Sequence, residues 1–154
     1  MRFAQLAVMG GVAVVGIASE AKGAFLESLG ATAVAYDRGG VGRRIEELLP
    51  AGADAVLDLV GDDALESVTA VVTARTLVTT VAGEEVAARF KACPLRRANS
   101  TATLTALADL VMNGKLDPCV RRVFPLAEAG DALALVESGH VTGKVVLDVT
   151  TGRR

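Results

Sequence analysis

The sequence has no tryptophan, one tyrosine (Tyr36), four phenylalanines and one histidine, His140. So few rings leave no platform on which nucleic-acid bases could stack. A basic stripe is missing too: 16 Lys and Arg stand against 18 Asp and Glu, for a formal charge of −2 and a pI near 5.4. The pairs Arg96-Arg97, Arg121-Arg122 and Arg153-Arg154 are too short to make one, which argues against a nucleic-acid partner. Cysteine is scarce. Cys93 and Cys119 lie far apart without CxxC spacing and read as small buried hydrophobes in a reducing compartment, with no metal site between them. Asn99-Ser100-Thr101 would be a glycosylation acceptor only in a secreted chain.

No apolar run reaches membrane-spanning length. The stretch from Phe3 to Ala18 is split by Gln5 and by Gly10-Gly11. Arg2 ahead of it and Gly16-Ile17-Ala18 at its end have the look of a cleavable leader. The same residues are needed as a strand, so the expectation is a cytoplasmic protein with no membrane partner. Paired carboxylates and a Ser-His-Asp set are also missing. His140, between Gly139 and Gly143, has no acid or nucleophile beside it in sequence and reads as a solvated turn residue. No catalytic residue is nominated.

What is present is apolar: 51% of the residues, with a mean hydropathy of +0.44. That suits parallel strands buried on both faces, and 154 residues predict one domain, residues 1–154. Val12 to Ala18 is a β-branched run expected to be a strand. Ser19 follows as a candidate N-cap. Ala24, Phe25, Ser28 and Leu29 recur at helical spacing, Gly30 stands where a left-handed helix stop belongs, and Ala31 to Ala35 is a second strand ending on Tyr36. In such a β-α-β unit both carboxyl ends share one sheet edge, where open α/β sheets bind ligands. Ser19, Lys22 and Tyr36 converge there as hydroxyl, cation and phenol. The set suits a phosphate monoester such as the 2′-phosphate of NADP(H). An NAD-selective site would instead place an acid directly after the strand Val12 to Ala18, the place that Ser19 takes with Glu20 beside it. Residue types alone leave open the alternative of a cap and a solvated lysine.

Further along, Arg43 to Leu49 is an amphipathic helix with Val41, Ile45, Leu48 and Leu49 on one face, and Ala53 to Val60 is a strand. Asp63 is placed to cap a helix running to about Thr73. Arg75 to Val81 is a strand, and Glu84 to Phe90 a helix. Ser100 caps a helix through Asn113, with Leu104, Leu107, Leu110 and Val111 as its core stripe and Gly114 as its stop. Val120 to Phe124, Leu126 to Glu137 and Lys144 to Val149 follow as strand, helix and strand. This alternation predicts an α/β, Rossmann-like, doubly wound and mostly parallel sheet with helices on both faces. Val60-Gly61 ends a strand at the same edge as Ser19. Gly40-Val41-Gly42 does not make a phosphate loop, because the third glycine of GxGxxG would fall at Ile45.

Seven segments in order then carry a family resemblance: RFAQLAV, GVAVVGIAS, FLESLGATAVAY, GADAVLDLVGDDALE, TLTALADLVMNGKLDP, VFPLAEAGDALALVESG and HVTGKVVLDV. Together they resemble the C-terminal half of the medium-chain dehydrogenase/reductase superfamily, in its zinc-free branch of NADPH-dependent quinone oxidoreductase-like enzymes. The resemblance implies that Ser19, Lys22 and Tyr36 hold the 2′-phosphate of NADPH, and that Val60, Gly61 and Val81 line the nicotinamide-ribose side. It implies no zinc, and a small-molecule acceptor, a quinone or an enone, reduced by hydride. The family's first strand, glycine-rich loop and preceding β-rich domain have no counterpart here, so the expectation is a Rossmann domain truncated at its N-terminus. Without that central strand, a gap of about 10 Å should separate strands Val12–Ala18 and Ala53–Val60. The function implied is the cofactor-binding domain of an NADPH-dependent reductase, inactive alone. The alternative is a stand-alone nucleotide-binding or non-catalytic module that closes its sheet by other pairings or as a homodimer.

Overall fold

A computed structural model describes residues 2–95, 100–139 and 141–150; His140, Arg96-Arg97, Asn99 and Arg153-Arg154 lie outside the described residues. The helices are α1 (Arg2–Met9), α2 (Gly23–Ser28), α3 (Val41–Leu48), α4 (Asp62–Ser67), α5 (Glu84–Arg89), α6 (Thr101–Met112) and α7 (Ala129–Glu137). The strands are β1 (Val15–Ala18), β2 (Thr32–Ala35), β3 (Ala55–Asp58), β4 (Leu77–Thr80), β5 (Cys93–Pro94), β6 (Val120–Pro125) and β7 (Lys144–Asp148). Among the described residues every pairing is parallel, and strands alternate with helices. The α/β, Rossmann-like fold class expected from the sequence is therefore present. The pairings form three sheets, β1-β2, β3-β4-β5 and β6-β7. No pairing joins β1 to β3, at the place where the break in the sheet was expected.

The chain divides into two compact units, one formed by Ala13–Asn99 and the other by Met1–Val12 with Ser100–Arg154. The first is held by Val34, Ile45, Leu65, Val68, Val71 and Val78, all buried. Burying a side chain of this size stabilises the fold by about 1.5–3 kcal/mol. Ile45 is the only residue of the α3 stripe fully inside; Val41 and Leu49 pack against this core, and Leu48 is exposed. Gly16 lets α2 lie close on β1, since a Cβ there would stand 3.0 Å from Leu26 Cδ1. Gly30 has φ +83, as its helix-stop role requires.

In the second unit the Gln5 side chain clips Asp117, its Nε2 donating to the Asp117 carbonyl (3.1 Å) and its Oε1 accepting the Asp117 N–H (2.8 Å). The Asp117 carboxylate accepts from the Cys119 N–H and from Arg121, which holds its carboxyl below the usual range. Ser100 caps α6 as expected, its Oγ accepting the Thr103 N–H at 3.1 Å.

Several local expectations are corrected. Cys119 is buried but Cys93 is exposed, on a two-residue strand too short to cover it. Asp63 does not cap α4; Gly61 takes the N-cap position, because φ +130 there is open only to glycine. The helix expected to reach Thr73 stops at Ser67 and continues as a 3-10 turn over Thr69–Val71, where Val72 is already extended. The α6 stripe is not a packed core: Leu104 is 59% exposed, and Leu107, Leu110 and Val111 are half-buried.

Candidate functional site at the carboxyl ends of the strands

In-register pairing sets Ala18 beside Ala35, so the residues that follow β1 and β2 emerge side by side. Ser19 comes first, extended at φ −66 and ψ 153, and a 3-10 turn over Glu20–Lys22 begins after it. Ser19 looks like a cap in sequence, yet its side chain makes no capping bond. The Asp37 carboxylate does that work from the next strand end, accepting the Glu20 N–H on both oxygens (2.9 and 3.2 Å). The Lys22 N–H, a donor that a capping side chain at Ser19 would take, bonds the Ser19 backbone carbonyl at 2.9 Å, and Ser19 lines the cleft at this edge.

A cleft of about 280 Å3 opens at this edge, and its polar lining includes Ser19, Glu20, Arg38 and Arg44. Arg38 donates to the Glu20 carboxylate, which raises the pKa of its guanidinium. Arg44 donates to the carbonyls of Ala35 and Gly39, the latter at 2.7 Å. Those acceptors are neutral, so the Arg44 charge stays uncompensated by them. Lys22 is half-buried and Tyr36 is 59% exposed, and neither is part of the cleft lining. The two arginines were not among the residues singled out from the sequence. Arg38 sits in Tyr36-Asp37-Arg38, directly after the second strand, and that position was the available signal.

The second corner lies at the ends of β3 and β4, where Asp58 is paired with Thr80. Both are buried. Asp58 Oδ1 accepts the N–H groups of Val60 (2.9 Å) and Gly61 (3.0 Å), and Oδ2 accepts the Thr80 hydroxyl (2.5 Å). Thr80 Oγ1 in turn accepts the Ala82 N–H at 3.0 Å. This knot shapes both turns that carry the predicted residues. Val60 is pushed out at the tip, 83% exposed, and Val81 is exposed beside it. Gly61 is buried, and its φ of +130 accounts for the glycine. Asp58 was overlooked because it sits inside an apolar run; an acid followed by glycine three residues later is the Asx-turn signal that marks it.

Among the described residues no group of three or more His, Cys, Asp or Glu side chains could hold a metal ion. No described helix is long and apolar enough to cross a membrane.

A family model described as zinc-binding dehydrogenase matches residues 29–147. A segment of 46 residues is 44% identical to NAD(P)H oxidoreductase RTN4IP1, mitochondrial, of Mus musculus, covering 30% of this chain and 12% of that protein. Another of 42 residues is 48% identical to an NAD-dependent alcohol dehydrogenase of Sulfolobus acidocaldarius, covering 27% and 12%. The solved quinone oxidoreductase from Coxiella burnetii superposes with a TM-score of 0.81 at 31% identity, over 96% of this chain and 48% of that one. The chain thus spans about half the length of that solved relative.

Proposed function

The chain belongs to the zinc-binding dehydrogenase family, and on that premise we propose that residues 1–154 are the NADPH-binding domain of an oxidoreductase of the quinone or activated-alkene reductase type. The observation that carries the proposal is the cleft at the joined ends of β1 and β2, where the Ser19 hydroxyl shares a wall with two guanidinium groups. Phosphate monoesters are bound by that donor chemistry. Parallel strands ending at one edge are also where α/β sheets take up nucleotides.

In this reading Ser19 meets the 2′-phosphate in the cleft, Lys22 and Tyr36 reach it from outside the cleft lining, and Val60, Gly61 and Val81 offer an apolar turn to the nicotinamide ribose. NADPH would supply the hydride, and a small quinone or enone would accept it. The proposed chemistry uses no zinc; among the described residues no group of three or more His, Cys, Asp or Glu side chains could hold that ion. The free thiols of Cys93 and Cys119 suit a cytoplasmic setting; a homodimer belongs to the alternative of a stand-alone module that closes its sheet by dimerising.

The test is a titration of the 154-residue chain with NADPH and with NADH, followed by thermal unfolding. NADPH is expected to raise the transition more than NADH does. Lys22→Ala combined with Tyr36→Ala should weaken NADPH by about tenfold or more while leaving NADH nearly unchanged. Equal losses for the two cofactors would remove the phosphate assignment.

A further inference from the structure

We propose that Glu20 and Arg38 form an exchangeable ion pair that sets the site's preference for a 2′-phosphorylated nucleotide, Glu20 holding the guanidinium until the phosphate takes its place. The inference rests on the cofactor reading above and adds two residues to it. Both groups line the cleft that contains Ser19. The Arg38 side chain is 63% exposed and that of Glu20 55%. An ion pair in water at this exposure is weak and readily exchanged. A phosphate dianion offers the guanidinium more acceptor oxygens and more charge than one carboxylate does, in a geometry that suits the planar fork.

The neighbours make the exchange directional. Asp37 is committed to the Glu20 N–H through both of its oxygens. It therefore holds the backbone of Glu20 still while the side chain lets go. Arg44, anchored on the Ala35 and Gly39 carbonyls, supplies a positive charge that favours an incoming anion, against the Glu27 carboxylate in the same lining. A nucleotide with a bare 2′-hydroxyl brings no charge to compete for Arg38, so the pair stays closed. Glu20 thereby acts as an internal rival of the phosphate, and the preference for the phosphorylated form is lower than the arginines alone would provide.

The probes are adenosine 2′,5′-bisphosphate and adenosine 5′-monophosphate, which differ at the 2′ position and need no nicotinamide pocket. Binding to the full chain is measured by calorimetry, with circular dichroism confirming that each variant folds. Arg38→Gln should lower the preference for the bisphosphate by roughly tenfold and leave the monophosphate unchanged. Glu20→Gln, which keeps the backbone N–H, should raise that preference by several-fold, on the order of the exposed ion pair it breaks. The gain must vanish when both substitutions are combined. A Glu20→Gln gain that persists without Arg38 would show simple charge repulsion and overturn the exchange. An unchanged preference in Arg38→Gln, with Ser19→Ala still lowering it, overturns this inference and leaves the cofactor reading standing. A wild-type chain that binds the two probes equally, or binds neither, overturns both.

Discussion

Asp58 shows how much one residue organises here. Its side chain is buried, yet two backbone N–H groups and a hydroxyl satisfy its oxygens, so oriented donors stand in place of water. Removing it leaves buried donors without an acceptor. Asp58→Ala is therefore expected to destabilise the fold by on the order of 3 kcal/mol in urea unfolding, and Thr80→Val by about 1–2 kcal/mol. A cost near zero for both would mean that water replaces the carboxylate and that the turn at Val60 is held by other contacts. The residue scale is also where sequence reasoning reached least far. Ser19 is read as a cap because serines before helices usually are, but its side chain makes no capping bond and the first N–H of the turn, that of Glu20, is met by Asp37 from a different strand end. Local sequence does not say which distant carboxylate will win an amide.

At the scale of single elements, the turns were legible and the lengths less so. Gly30 and Gly114 have positive φ where helix stops were expected, and Ser100 caps α6. Ser100→Ala should cost about 1 kcal/mol and fray the first turn of α6, measurable by amide exchange at Thr103. The strands are shorter than their apolar runs. Val12 to Ala18 yields only Val15–Ala18 as paired strand, because the Val12 N–H is held by the Ala7 carbonyl of α1 and the ladder to β2 begins where the Thr32 N–H meets the Val14 carbonyl; β1 pairs only with β2 among the described strands. Residues on the open edge keep a strand's composition without its ladder. Such edges are sites of further pairing. The α6 stripe illustrates the same point for helices: periodicity gives a helix an apolar face, and only a packed neighbour buries it.

For the whole molecule, burial is unevenly distributed. Ile45 is 2% exposed within the Ala13–Asn99 unit, whereas Leu133 in the other unit is 58% exposed. Ile45→Ala should therefore lower stability by about 2–5 kcal/mol, and Leu133→Ala by less than about 0.5 kcal/mol, in the same denaturant series. Comparable losses would mean that Leu133 is covered in solution. The sequence by itself determined the alternation of strands and helices, the parallel sense of the pairings and the edge at which Ser19 and Tyr36 emerge. All of these follow from local periodicity and from the chirality of the β-α-β crossover. Tertiary structure alone decided which side chains meet at the strand ends. Arg38 against Glu20, Asp37 on the Glu20 amide and Thr80 on Asp58 join residues 17 to 22 positions apart. Side-chain chemistry specifies what each group can bind, but the register of two strands specifies what it reaches.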